Sequence, residues 1–272
     1  MGNLKTGNYE GVTWAMAPVS LWGARLNVCV YLVDGLLVDT GPGRFAAEFG
    51  SFFKSQSIKQ AVITHYHEDH SGNARRLERQ GVPVYIHPSS IPICEKKAEL
   101  PMYRRYFWGR REAFSPLPLP DVLETENVRW QVVETPGHCF DHIALFNPAT
   151  GAVFTGDLVV TPKTKLVMKT ENIPQIMDSL RRLLGYDFGV VYCGHAGPVA
   201  NGRELVRAKL DYLENLSGQA RELHQRGWSL RAINKKIFPG MVPLTVLSGG
   251  EWASAHMIRS LIEDDDYSKK DR

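Results

Sequence analysis

No apolar run in this chain approaches the about 20 residues that a membrane-crossing helix needs, so no membrane partner is expected. Cysteine is scarce: Cys29, Cys94, Cys139 and Cys193 stand far apart, with no Cys-x-x-Cys pair and no small-scaffold spacing. That argues against a disulfide framework and leaves reduced thiols in a cytoplasmic protein as the expectation. An excess of one charge is missing as well. The 32 Lys and Arg against 29 Asp and Glu give a net charge of +3, too small and too scattered for a nucleic-acid partner to be expected. No short-period repeat or low-complexity tract interrupts the sequence. The opening Met1-Gly-Asn-Leu-Lys5 has no charged region leading into an apolar run, so no signal peptide is expected.

What is present is an ordinary globular balance over 272 residues, with 43% hydrophobic and 22% charged, enough to bury one core with an appendage. Leu26 to Val33 and Leu36 to Val38 flank Asp34-Gly35 and predict a hairpin. Helical spacing follows over Phe45 to Ser55, then strand Ala61 to Thr64, helix Gly72 to Gln80 and strand Val82 to Ile86. This alternation predicts an α/β core. Residues 88–121 break the rhythm and read as an insertion or lid of one or two helices. Its aromatics and its Arg104, Arg105, Arg110 and Arg111 suit either a substrate-facing cap or an amphipathic helix with solvated arginines. Strand character returns over Arg129 to Thr135. A hairpin joins Ile143 to Phe146 with Ala152 to Thr155, helix Ile173 to Leu184 follows, and strand Val190 to Cys193 ends the pattern. The expected domains are a catalytic part over 1–202 and a helical extension over 203–272, with Ser229 as an N-cap and a frayed, charged tail.

Four metal-competent side chains, His65, His67, Asp69 and His70, crowd into six positions directly after the strand Ala61 to Thr64. A buried strand end has little reason to gather three imidazoles and a carboxylate unless a cation compensates them. His138, Asp157 and His195 share that placement, each just past a predicted strand and beside a glycine. Seven such donors exceed the roughly four that one tetrahedral zinc takes and suit two neighbouring metals.

His65-x-His67-x-Asp69-His70, Thr135-Pro-Gly-His138, Thr155-Gly-Asp157 and Cys193-Gly-His195, with Asp39-Thr-Gly41 upstream, resemble the ligand pattern of the metallo-β-lactamase fold hydrolases. The resemblance runs over roughly residues 10–200 and implies an αββα sandwich with a dinuclear site at the sheet edge, to which the pattern after residue 202 adds a helical C-terminal extension. It places His65, His67 and His138 on one metal, Asp69, His70 and His195 on the other, and Asp157 between them. Two Zn(II) are implied, with Fe or Mn accepting similar donors. A metal-bridging hydroxide would attack the substrate, and Asp69 would orient it or move a proton. Asp39 and His142 are expected behind the ligands rather than among them.

Departures from the pattern narrow the choice. Carboxylate at Asp157 stands where one group of true β-lactamases has cysteine. The Leu158-Val-Val-Thr161 segment lacks the glutathione-site pattern of glyoxalase II enzymes, and Val160 replaces a tyrosine that certain lactonases use. The expectation is a hydrolase of a small-molecule ester, lactone or thioester. Alternatives within the resemblance are a mononuclear-iron oxidoreductase of the persulfide dioxygenase type and a nuclease or nucleic-acid-binding member.

Overall fold

The computed structural model describes residues 4–21, 24–240 and 242–270; Met1 to Asn3, within the leader reading, lie outside them. The chain divides into two compact units, one of residues 1–134, 141–160 and 187–203, the other of 135–140, 161–186 and 204–272.

The first unit opens with β1 (Lys5–Tyr9), β2 (Val12–Leu21), β3 (Ala24–Val33) and β4 (Leu36–Val38), each antiparallel to the one before. At the predicted hairpin Asp34 and Gly35 both adopt positive φ, 47° and 76°, as a two-residue turn of the favoured hand requires. The chain then continues through α1 (Ala46–Lys54), β5 (Gln60–Val62), α2 (Glu68–Ser71), α3 (Ala74–Arg79), β6 (Val84–Ile86), α4 (Ile91–Cys94), α5 (Met102–Trp108) and β7 (Leu117–Pro118). Once helices replace tight turns as connections, pairing becomes parallel from β4 to β7, because parallel neighbours need a crossover. The predicted insertion thus contains two short helices, and its end forms the edge strand of the sheet.

A second sheet takes β8 (Val122–Glu124), β9 (Arg129–Glu134), β10 (Ile143–Asn147) and β11 (Ala152–Gly156). After β12 (Val167–Met168) and α6 (Ile173–Leu184), which belong to the other unit, β13 (Val190–Cys193) and β14 (Gly197–Val199) complete it. Among the described residues the two sheets run β1-β2-β3-β4-β5-β6-β7 and β14-β13-β11-β10-β9-β8, with β11 and β13 parallel. Between them Phe154 packs against Trp130, Tyr31 and Tyr192 at ring-centroid distances of 5.0, 5.4 and 5.1 Å. Leu36, Val38, Val62, Ile143 and Leu145 fill the same layer. Every residue of β4 is buried, which an unbroken apolar run achieves only when both sheet faces are covered. Helix α1 contributes buried Phe49, Phe52 and Phe53, and α3 packs on β6.

In the second unit, α7 (Gly202–Gln225), α8 (Leu230–Ile237), α9 (Pro243–Leu247), β15 (Trp252–Ala253) and α10 (Ser254–Lys270) follow α6. β12 pairs with β15, and α10 packs on α6 and α8. Ser229 caps α8 as expected, its Oγ accepting from Ala232 N–H at 3.3 Å. The charged tail, expected to fray, continues α10 to Lys270; no glycine or proline after Ser254 interrupts it. All four cysteines are buried. Among the described residues no helix is long and apolar enough to cross a membrane.

Truncating Phe154 to alanine removes the ring at the centre of the inter-sheet layer. Chemical denaturation should show a loss of about 3–5 kcal/mol.

Candidate metal centre

Parallel pairing of β4 with β5 and of β11 with β13 brings their carboxyl ends to common edges. Asp39 follows β4, His65 to His70 follow β5, Asp157 follows β11 and His195 follows β13. At this end the two sheets are stitched by main-chain groups. Cys29 N–H donates to the Gly194 carbonyl at 2.8 Å, and Ile143 N–H to that of Thr64 at 2.9 Å. The Tyr31 hydroxyl donates to the Cys193 carbonyl at 2.5 Å. Loops carrying ligand-type residues are therefore anchored on both sides.

Asp39 organises the histidine loop from behind. It holds φ at 61°, uncommon for a residue with a side chain. Its carboxylate accepts from Thr64 N–H at 2.8 Å, from the Thr64 hydroxyl at 3.0 Å and from His70 Nδ1–H at 2.7 Å. The next residue, Thr40, donates its N–H to the His70 carbonyl at 2.7 Å and its hydroxyl at 2.8 Å. Asn73 Nδ2 closes the loop on the Thr40, Gly41 and Pro42 carbonyls. Gly72 has to be glycine here, since a Cβ would lie 2.5 Å from the Glu68 carbonyl oxygen and 2.5 Å from Gly43 N.

With Nδ1 committed, His70 directs Nε2 to the Asp157 Oδ1 at 3.2 Å and the Asp69 Oδ2 at 3.7 Å. His195 is set the same way. Its Nδ1–H donates to the Asn27 carbonyl at 2.5 Å, and its Nε2 lies 3.0 Å from Asp157 Oδ2 and 3.5 Å from Asp69 Oδ2. One ligand atom from each of Asp69, His70, Asp157 and His195 falls within 4.8 Å of the others, and all four residues are buried. Gly194 leaves them room, for a Cβ there would lie 2.7 Å from His70 and 2.8 Å from Asp157. Burial disfavours charge on His70, yet Asp157, Asp39 and Asp69 outweigh it and hold its pKa well above the imidazole range. His195 behaves alike: burial opposes, Asp157 dominates, and the pKa rises to about 9. Burial would raise Asp157, but His195 and His70 hold its carboxyl well below the usual range.

His65 and His67 belong to the same unit, their ring centroids 4.7 Å apart, with His65 4.0 Å from His70. Thr64 Oγ1 lies 3.1 Å from His65 Nδ1. Tyr66 N–H, between the two histidines, donates to Asp141 Oδ2 at 2.9 Å, and the Ser90 hydroxyl donates to the same oxygen at 2.7 Å. His142 Nε2 accepts from Asp157 N–H at 3.0 Å, so it supports a ligand-type residue rather than joining the group. His138 lies in the second unit, in the turn Thr135-Pro-Gly-His138. There α6 presses on the backbone: a Cβ on Gly137, at φ 131°, would sit 2.5 Å from Ile176 N. Ser179 and Asn172 donate to the Pro136 and Gly137 carbonyls, and Glu171 Oε2 is 3.2 Å from His138 Nδ1.

The arginines of 88–121 divide by role. Arg104 forms a fork with buried Glu68, Nε to Oε1 at 2.6 Å and a terminal nitrogen to Oε2 at 2.7 Å. Burial raises the Glu68 carboxyl above its ordinary range, Arg104 drawing it back and Asp69 adding to the rise. Arg111 is buried and donates to the Cys94, Ile93 and Lys96 carbonyls. Arg105 and Arg110 are exposed. The sequence reading did not single out Glu68, Asp141 or Glu171. Glu68 lies within the histidine motif and Asp141 three residues after His138, whereas Glu171 is distant from every ligand motif in the chain and has no local signal.

The donors suit a divalent cation. His70 Nε2 is fully buried, faces two carboxylates and makes no hydrogen bond, a geometry that a shared metal satisfies. Carboxylates and imidazoles converging at the rim of two packed sheets define a candidate metal centre on an α/β sandwich. The sequence profile of the metallo-beta-lactamase superfamily matches residues 23–195, and the chain belongs to that superfamily. A solved metallo-beta-lactamase family protein of Thermus thermophilus superimposes with a TM-score of 0.68 at 20% identity, covering 97% of this chain and 94% of that one; the fold is the αββα sandwich. "Probable metallo-hydrolase YqjP" of Bacillus subtilis is 26% identical over 79% of this chain and 82% of its own length. An atrochrysone carboxyl ACP thioesterase of Aspergillus fumigatus is 28% identical over 71% of this chain, and a hydroxyacylglutathione hydrolase of Hahella chejuensis 27% over 63%. The aligned regions span 57% and 62% of those two proteins.

Replacing Asp39 by asparagine keeps the shape but removes a charge that raises His70. In chelator-treated protein, NMR titration should show the His70 pKa moving down.

Proposed function

We propose that the protein is a metal-dependent hydrolase that cleaves a small-molecule ester, lactone or thioester. The observation that carries this reading is the buried group Asp69, His70, Asp157 and His195, with ligand atoms within 4.8 Å of one another. Relatives described as thioesterases and hydroxyacylglutathione hydrolases support acyl transfer to water, and thioester cleavage above all. In this reading Asp69, His70 and His195 would hold one cation and His65 and His67 a second, with Asp157 available to either. The family pattern adds His138 to the second. Zinc is the expected metal, iron and manganese accepting the same donors.

When bound, a pair of such cations supplies hydroxide near neutral pH and polarises the scissile carbonyl. The chain's own residues do the rest. Asp39 and the Asn27 carbonyl fix the Nδ1–H tautomers of His70 and His195, presenting Nε2 to the site. Asp141 and His142 hold the backbones that carry His65, His67 and Asp157. Asp69 would orient the nucleophile, accept the proton of the attacking oxygen once its bond to the carbonyl carbon has formed, and pass it to the leaving oxygen or sulfur as that bond breaks.

Metal analysis should find about two divalent ions per chain, and ester, thioester or lactone cleavage should fall at least about 100-fold in Asp157→Ala and His67→Ala. Iron as the sole metal with thiol-dependent oxygen uptake would overturn the reading, as would metal-replete protein inert to the whole panel.

Because His195 titrates near pH 9 in the absence of metal, a cation must displace its proton at neutral pH. Apparent metal affinity of chelator-stripped protein should therefore rise with pH through and above neutrality, as the protons of His195 and His70 are displaced more easily. Calorimetry in buffers of different ionisation enthalpy should register proton release at pH 7.

A further inference from the structure

We infer that Trp108, carried on α5, is a specificity-determining residue that selects an apolar acyl or aryl group beside His195; this rests on the hydrolase reading above. Arg104 and Trp108 are four residues apart on α5 and so lie on one side of it. Arg104 grips Glu68, the residue directly before Asp69 and His70. The Trp108 ring lies 6.3 Å from the His195 ring, the planes inclined by 34°. One helix face thus runs from the helix bearing Asp69 and His70 to the residue closing the group on the other sheet, and walls the same site.

The wall is fixed. Arg44 donates to the Tyr106 carbonyl at 3.1 Å and lies over the Tyr106 ring at 5.4 Å. Two glycines allow the backbones to touch: a Cβ on Gly109 would lie 2.4 Å from Arg44 N, and one on Gly43 2.4 Å from the Arg110 carbonyl oxygen. Phe107 is 3% exposed and backs Trp108 at 5.6 Å. Trp108 itself remains partly exposed. The cation on its face, Arg104, is neutralised by Glu68, whereas Arg105 is on the solvent side. An indole beside the proposed metal ligands with its neighbouring charge already paired favours an uncharged, apolar group over a carboxylate-bearing one.

The test uses the metal-loaded protein and thioesters of one thiol with linear acyl chains of increasing length. Wild type should show kcat/KM rising with chain length. Trp108→Ala should lose about 10- to 100-fold on the eight-carbon substrate and about twofold or less on the two-carbon one, with metal content unchanged. Trp108→Phe should keep most of the gradient. Octanoate binding, followed by calorimetry, should weaken by a similar factor in Trp108→Ala, and acetate binding should not. Wild type that hydrolyses no thioester yet binds octanoate through Trp108 would retain this inference while removing the thioesterase activity. An unchanged chain-length profile and unchanged octanoate binding in Trp108→Ala, or an equal loss on every substrate, would overturn it.

Discussion

Everything at the rim of this sandwich depends on holding three carboxylates and a set of imidazoles together out of water. Asp39, Asp69 and Asp157 converge on His70, and Asp157 also faces His195. Burial alone would discharge every one of these groups. Opposite charges at hydrogen-bond distance reverse that, holding Asp157 ionised and both histidines basic. Such a group is self-compensated only while each partner stays in place. A divalent cation bound there would replace the protons with a stronger centre of the same sign, so the proposed metal capture and the folded arrangement would draw on the same groups.

Position comes from the sheets. Strand ends are stiff, and the cross-sheet bonds from Cys29, Ile143 and Tyr31 fasten the loops where stiffness ends. Glycines stand where no side chain fits, Gly72 against the Asp39 loop and Gly194 against His70 and Asp157. Asp39 carries the cost of a left-handed backbone, offset by three acceptor contacts that fix the loop.

Much of this was legible in the sequence because strand ends and ligand types coincide. Ala61 to Thr64 followed by His65, His67, Asp69 and His70 leaves little room for another reading, and Asp39 behind His70 followed from the same logic. Helix Ile173–Leu184 and strand Val190–Cys193 matched residue for residue. The edge elements were not legible. β7 and β15 are two residues long, too short to carry a period, and gain their identity only from a partner strand. β1 and β2 mix glycine, proline and polar residues without clean alternation. The arginines resisted for a different reason. Arg104 and Arg111 look alike on paper, yet one meets a buried acid from α2 and the other a set of carbonyls, and such distant partners leave no local trace.

The pairing of Glu68 with Arg104 couples two segments that lie 36 residues apart in the chain. Glu68 occupies a spacer position within the histidine motif, where the chemistry makes no demand on residue type. Its charge ties that motif to one particular insertion. Exchange of residues 88–121 for another segment would leave a buried carboxylate without its guanidinium, a loss of about 3–5 kcal/mol next to two ligand-type residues. Spacer and insertion are therefore energetically coupled, and a change in either one is felt by the loop that carries Asp69 and His70.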